Sequence, residues 1–99
     1  MPFYVYLIQS LKDRSYYIGQ TSNINERLNQ HNRGKVRSTK NRAPFKLIGF
    51  ETYETREEAR YREYKLKRHS GRRKNFIREL HKRVEKLTDP ESERDKKWW

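Results

Sequence analysis

The acid Glu63, set among bases, is the side chain in this sequence that most clearly points to chemistry. It follows Ala59 by four residues and precedes Leu66 by three, so in a helix it continues an apolar, inward-facing line. The bases around it in the sequence are Arg60, Arg62, Lys65 and Lys67. A carboxylate on an inward line costs free energy unless a base or a metal ion compensates its charge. Glu63 is therefore interpreted either as half of a buried ion pair with a nearby arginine or as a metal ligand.

Two tyrosines in neighbouring β-rich segments form a second candidate pair. If Tyr6 and Tyr17 lie opposite each other in a hairpin, their side chains emerge close together on one face of the sheet. Tyr4 would then face Gly19, whose missing side chain leaves space for a nearby backbone or phosphate. The alternative is that both tyrosines are ordinary strand aromatics.

Arg27 and His31 form a third pair, four residues apart and therefore on one face of a predicted helix. Ile24 and Leu28 anchor that helix, which leaves the edge with the arginine and the histidine free to point along the sheet. Taken alone, such a pair is more often a solvated surface feature than a catalytic one.

The elements that must position these residues are predicted in the order ββαβαα. Strands are expected over residues 3–8, 15–21 and 45–53, and the first of them is apolar on both faces, as in a central strand. The short spacer after it predicts a hairpin. The fold class is therefore α/β (α+β), with a three-stranded, mostly antiparallel sheet flanked by helices.

Capping residues predict where the helices begin. Asn23 followed by Glu26 predicts a helix that runs to about residue 32, and Thr55 followed by Glu58 is a capping box that opens a helix over about residues 56–68. The pair Ser70-Gly71 is expected to end this helix, and a last helix starts near residue 72. We expect residues 1–84 to form one domain and residues 85–99 a charged C-terminal tail.

The formal net charge of +12 is the strongest bulk property of the chain. Two stretches carry most of it: residues 33–46 hold six bases and no acid, and residues 60–83 hold eleven bases and two acids. Fields of this sign attract polyanions, of which nucleic acid is the commonest. A basic solvated surface and a ribosome-associated protein are the alternatives.

Composition also excludes several classes of protein. The chain has no cysteine, which rules out disulfides and zinc–thiolate sites. No signal peptide and no apolar run of transmembrane length is visible, so we expect a cytoplasmic protein without a membrane partner.

Two tripeptides carry a family resemblance. Tyr4-Val5-Tyr6, followed after ten residues by Tyr17-Ile18-Gly19, resembles the paired motifs of the GIY-YIG nuclease family. The likeness covers about residues 3–80 and is greatest to small stand-alone members and to the nuclease domain of the repair excinuclease. It continues through Arg27, His31, Ser38-Thr39, Arg42 to Phe45, Thr55 to Ala59, Arg62-Glu63, Leu66-Lys67 and Ser70 to Arg72. One departure is Tyr4, which stands where the first motif usually has glycine.

The resemblance implies an endonuclease that hydrolyses phosphodiester bonds in nucleic acid, with DNA of a repair or recombination pathway as the expected substrate. It implies that Glu63 binds one Mg²⁺ (or Mn²⁺) ion, weakly without substrate, and that Tyr6 takes the proton from the attacking water. Arg27 would stabilise charge on the phosphoryl oxygens, His31 would relay the proton or hold the phenol, and Tyr17 would hydrogen-bond the phosphate or the water. We expect nearby cations to favour ionisation of Tyr6, whose ordinary pKa is about 10.

The predicted nucleic-acid contacts are bases of the two charged stretches together with one amide. They are Lys35, Arg37, Lys40, Arg42, Lys67, Arg72, Arg73, Lys74 and Asn75. Such contacts position a phosphate backbone without reading its sequence. Two alternatives stay open: a catalytically inactive nucleic-acid-binding module of the same fold, and a basic interaction protein. A protein partner for targeting is also expected.

Overall fold

The computed structural model describes residues 2–88, with side chains through residue 84. The predicted order ββαβαα is confirmed, and a short 3-10 turn at Lys40–Arg42 lies in the long basic loop. The elements are β1 (Phe3–Ser10), β2 (Tyr16–Thr21), α1 (Ile24–Asn32), β3 (Phe45–Tyr53), α2 (Arg56–Arg68) and α3 (Ser70–Thr88). The three strands form one antiparallel sheet in the order β2-β1-β3. Within residues 2–88, no helix is both long and apolar enough to cross a bilayer.

Strand β1 is central because its side chains are apolar on both faces. Val5 and Leu7 are fully buried in the core that also contains residues of α2 and α3. Tyr6 and Ile8 point to the opposite face and pack with Phe45 in a second, smaller core on the side of α1. The polar site residues of β1 and α1 are thus held against an apolar layer.

The register of the hairpin differs from the prediction by two residues. Tyr6 lies opposite Gly19, and Tyr17 lies opposite Ile8. The prediction that Tyr6 faces Tyr17 and Tyr4 faces Gly19 is therefore wrong. The turn decides the register: the backbone N–H of Ser10 donates to the Ser15 carbonyl at 2.8 Å, which closes the ladder there. Tyr6 and Tyr17 still share one face, diagonally across the two strands.

Both predicted helix starts are present. The Asn23 side chain accepts a hydrogen bond from the Glu26 backbone N–H at 3.1 Å, and Thr55 and Glu58 form the reciprocal capping box. Helix α3 begins at residue 70, two residues earlier than predicted, because the break falls on His69, whose backbone is extended. Within the predicted tail, residues 85–88 belong to α3 and residues 89–99 lie outside the described residues, so the domain boundary stays a prediction.

Candidate active site

Tyr6 is a buried tyrosine whose ring covers the edge strand at a glycine. Its side chain is only 2% exposed. A Cβ atom built on Gly19 would lie 2.6 Å from Cζ of the Tyr6 ring, so no larger residue fits beneath the phenol. The glycine of the second motif is therefore required by the close approach of the tyrosine of the first.

A chain of hydrogen bonds leads from Tyr6 into the protein. The Tyr6 hydroxyl lies 2.8 Å from Nε2 of His31, and Nδ1 of His31 lies 2.7 Å from Oγ1 of Thr39. Thr39 donates its own hydrogen to the carbonyl of Val36 at 3.4 Å, so its oxygen accepts from Nδ1–H. Nε2 is then the bare nitrogen of the imidazole and accepts from the Tyr6 hydroxyl. His31 and Thr39 are fully buried.

The surroundings of this hydrogen-bond chain favour the neutral forms of Tyr6 and His31. Burial raises the pKa of Tyr6 to about 12, although the Arg27 guanidinium beside it acts to lower this pKa. Burial, together with the charges of Arg27 and Arg42, lowers the pKa of His31 to about 4. The expected effect of a nearby cation is present, since Arg27 acts to lower the pKa of Tyr6, but lost solvation outweighs it and the net shift is upward. At pH 7 the phenol keeps its proton and the imidazole is neutral.

Tyr17 lies on the edge strand β2, next to both members of this pair. Its ring centroid is 6.3 Å from that of Tyr6 and 5.0 Å from that of His31. The Nζ of Lys67 lies 5.1 Å from the centre of the Tyr17 ring. Tyr17 therefore joins the β-hairpin to helix α2.

Arg27 comes to the site from the first turn of α1, which the Asn23 cap fixes. The guanidinium is half-buried and donates to Oε1 of Gln30 at 2.8 Å. Its effect on the pKa values of Tyr6 and His31 shows that its charge reaches both. A guanidinium held beside the phenol can also contact an anion placed over the phenol.

Glu63 enters from α2, with its side chain 22% exposed and its Oε1 2.9 Å from Nζ of Lys67. The carboxylate also raises the pKa of Tyr6, which places its charge within electrostatic range of the phenol. The arginine ion pair anticipated for this acid forms elsewhere, between Arg62 and Glu51 at 2.9 Å. Glu63 is thus a half-buried acid at the margin of the sheet, paired with a lysine.

These residues, from two strands and two helices, form what we call the Tyr6 cluster: Tyr6, Tyr17, Arg27, His31 and Glu63. The arrangement agrees with a family match, since residues 2–75 match the GIY-YIG catalytic domain. The chain belongs to the GIY-YIG family.

Relatives of this GIY-YIG domain are small proteins as well. A UPF0213 protein of Clostridium perfringens is 42% identical over 66 residues, which cover 66% of this chain and 70% of that protein. A UPF0213 protein of Haloquadratum walsbyi is 34% identical over 77 residues, 77% of this chain and 85% of that one. The solution NMR structure of a UPF0213 protein from Bacillus halodurans is 31% identical and covers 99% of this chain and 98% of that one, with a TM-score of 0.48.

The predicted nucleic-acid contacts of the GIY-YIG domain fall into two groups. Exposed side chains that are available to a ligand are Lys35, Arg37, Lys40, Arg72 and Lys74. Two arginines among the others also hold the fold together. Arg42 donates to Ser15 at 2.8 Å and to the Ser38 carbonyl at 3.3 Å, and Arg73 donates to carbonyls in the last turn of α2.

Asn75 lies on α3 and is exposed. With Arg72 it lines a pocket of about 360 Å³ beside Glu51 and Arg62, where α3 packs on the sheet. A role for Asn75 at the scissile phosphate stays a prediction.

Thr39 is the functional residue that sequence reasoning missed. It belonged to the stretch that carries the resemblance, but nothing in the sequence marks a threonine of a basic loop as buried. Only its contact with Nδ1 of His31 reveals that it sets the tautomer of the imidazole.

Proposed function

We propose that this GIY-YIG domain is an endonuclease that hydrolyses phosphodiester bonds in nucleic acid with the help of a divalent metal ion. The observation that supports it best is the half-buried carboxylate of Glu63 within electrostatic range of the Tyr6 phenol. Binding of nucleic acid alone requires no acid among bases, and an unshielded acid repels phosphate. DNA is the substrate we propose, in the repair or recombination setting that the resemblance to the excinuclease implies, within the cytoplasm.

The donor set fits a metal ion that keeps most of its water. Among the described side chains, which end at residue 84, no three His, Cys, Asp or Glu groups form a metal cage. Glu63 would hold Mg²⁺ or Mn²⁺ alone, through the oxygen that Lys67 leaves unbonded, and substrate phosphate would complete the shell. When bound there, the ion supplies Lewis-acid stabilisation of charge on the phosphoryl oxygens.

The hydrogen-bond chain provides a path for the proton of the attacking water. The oxygen of Tyr6 accepts this proton while its own hydrogen passes to Nε2 of His31, so the phenol never has to become a free phenolate. The bond from the water oxygen to phosphorus forms as the bond to the leaving oxygen breaks. Thr39 keeps Nδ1 protonated throughout, which holds the imidazole in the accepting tautomer.

Arg27 supplies positive charge beside the Tyr6 phenol, and Lys67 supplies it next to the Tyr17 ring. Arg27 would stabilise the charge that develops on the phosphoryl oxygens. Lys67 already neutralises Glu63 in the free protein, and it would be released toward phosphate when a divalent ion takes over the carboxylate. The same ion pair favours the second candidate function, an inactive nucleic-acid-binding module, because it satisfies Glu63 without any metal.

The Glu63→Gln variant separates these two functions. We expect Mg²⁺-dependent cleavage of a labelled DNA panel (single-stranded, duplex, flap and branched) to fall at least about 100-fold, while binding in EDTA is equal or tighter. Glu54→Gln removes an exposed acid just before the same helix and serves as the control, with cleavage unchanged. Equal cleavage by the wild type and the Glu63 variant would assign the activity to a contaminant. If the wild type cleaves none of the substrates, the inactive nucleic-acid-binding module is the function that is left.

A further inference from the structure

Two of the most exposed aromatic side chains in the described part of the chain lie next to each other on α2. Tyr61 is 60% exposed and Tyr64 is 53% exposed. They are three residues apart, so they are neighbours on the helix surface. Exposed aromatic rings add nothing to the core, and their apolar faces stay in contact with water.

Each of these rings is paired with a cation one turn further along the helix. Nζ of Lys65 lies 4.5 Å from the centre of the Tyr61 ring, and Cζ of Arg68 lies 5.1 Å from the centre of the Tyr64 ring. We call these four residues the outer face of α2. One acid, Glu57, lies at the start of this face, so the charge of the face is positive overall.

The outer face of α2 is joined to the Tyr6 cluster around the helix. Successive residues turn by about 100°, so Ala59 and Leu66, both fully buried, mark the inner side and the two tyrosines point away from it. Arg60 and Lys67 occupy the angles between the outer face and Glu63. A strand whose phosphate lies at Glu63 therefore passes over basic side chains before it reaches the tyrosines.

We propose that the outer face of α2 binds unpaired nucleic-acid bases by stacking on Tyr61 and Tyr64, with Lys65 and Arg68 holding the adjoining phosphates. Aromatic rings interleaved with cations are the usual platform for single strands, because every base has a π-face and stacking tolerates any sequence. Paired bases within a duplex are stacked on one another and cannot use it. The proposal rests on the proposed function for its place beside a cut, and it makes the substrate class one with unpaired bases, such as a flap, gap or end.

The experiment is a binding measurement in EDTA, where no metal-dependent cleavage occurs. Fluorescence anisotropy of labelled single-stranded DNA, single-stranded RNA and duplex DNA of equal length is recorded for the full chain at several salt concentrations. For Tyr61→Ala/Tyr64→Ala we expect affinity for single strands to fall by at least about fivefold per tyrosine. We expect duplex affinity to stay within about twofold and the slope of log affinity against log salt to be unchanged, since no charge is removed.

Three control variants identify the cause. Tyr61→Phe/Tyr64→Phe keeps the rings and should bind as the wild type does, which separates stacking from hydroxyl contacts. Leu11→Ala removes a comparably exposed apolar side chain (58%) elsewhere and should have no effect. Lys65→Ala/Arg68→Ala should reduce the salt slope for single strands by about 0.7 per cation. Circular dichroism melting verifies that each variant is folded.

Two outcomes would overturn the proposal: single-strand affinity unchanged in the double alanine variant, or equal losses for single strands and duplex. Neither depends on cleavage. A wild type that cuts nothing but loses single-strand binding when its tyrosines are replaced would end the nuclease function and leave the platform in place. A double alanine variant that cuts and binds single strands as the wild type does would end the proposed stacking surface and leave the nuclease function in place.

Discussion

At the scale of single residues, the buried chain from Tyr6 through His31 to Thr39 decides what the site can do. The sequence contains both partners of a proton transfer, but their pKa values move apart, upward for the phenol and downward for the imidazole. Neither group is charged at pH 7, so Tyr6 keeps its proton and Nε2 of His31 accepts a hydrogen bond from it. The mechanism we propose therefore uses a concerted proton transfer and not a preformed phenolate.

The pKa of His31 predicts how stability depends on pH. Its value of about 4 in the folded protein lies below the unfolded value of about 6.5, so below pH 6.5 the unfolded chain binds a proton that the native protein does not. Stability should fall as pH drops from about 6.5 to 4, by up to about 3 kcal/mol from this residue. Urea unfolding at pH 7, 5.5 and 4.5 measures it.

His31→Gln keeps polar atoms but removes the titration, so its loss of stability over this pH range should be smaller than that of the wild type. His69→Gln, at an exposed position, is the control and should follow the wild type. Parallel pH profiles for all three proteins would contradict a buried, neutral imidazole.

At the scale of elements, the pairing of β1 with β2 positions the site more than any single side chain does. The register sets Gly19 beneath the Tyr6 ring, and the ring is thereby directed toward His31 on α1. Helix α2 packs on the opposite face of the sheet, and its Lys67 reaches the ring of Tyr17 on the edge strand. His31 of α1 and Lys67 of α2 thus both contact Tyr17 of the edge strand β2.

Replacing Gly19 by alanine tests this role. The new Cβ would overlap the phenol, so the ring must shift away from Nε2 of His31, at a cost of about 1–3 kcal/mol. We expect cleavage to fall about 100-fold, because a displacement of about 1 Å is enough for such a loss. Gly71→Ala is the matched control: no atom lies within 4 Å of its Cβ, and helix propensity favours alanine by about 1 kcal/mol. Equal thermal melting and activity of the two variants would refute the close contact.

At the scale of the whole molecule, the net charge of +12 produces a field that attracts any polyanion, and local contacts have to be separated from it. The exposed bases Arg72 and Lys74 at the start of α3 are the best residues for this test, whereas Arg73 between them donates to carbonyls at the end of α2. Direct phosphate contacts release counterions one by one.

We expect Arg72→Ala/Lys74→Ala to lower the slope of log affinity against log salt for duplex DNA by about 1.8. Arg78→Ala/Lys82→Ala removes the same charge from the same helix outside the predicted contacts, and its slope should change little. Equal changes for both variants, measured by anisotropy titrations, would mean that only net charge matters.

The sequence by itself determined the local features of this protein. Apolar residues on both faces of β1 made it the central strand, and the capping residues Asn23 and Thr55 started α1 and α2. The resemblance to the GIY-YIG family also pointed to the five residues that the structure gathers into the Tyr6 cluster. The strand and helix predictions succeeded because capping and periodicity depend on residues close together along the chain.

Only the tertiary structure decided the long-range pairings. Tyr6 lies opposite Gly19 in the sheet. Glu63 forms its ion pair with Lys67, and Arg62 forms its own with Glu51. Thr39 is buried against His31. Burial also outweighed the effect of Arg27 and raised the pKa of Tyr6 to about 12. Side-chain pairing and solvation are set by contacts between residues far apart in the chain, and the hairpin register depends on the geometry of its turn, which the hydrophobic pattern does not specify.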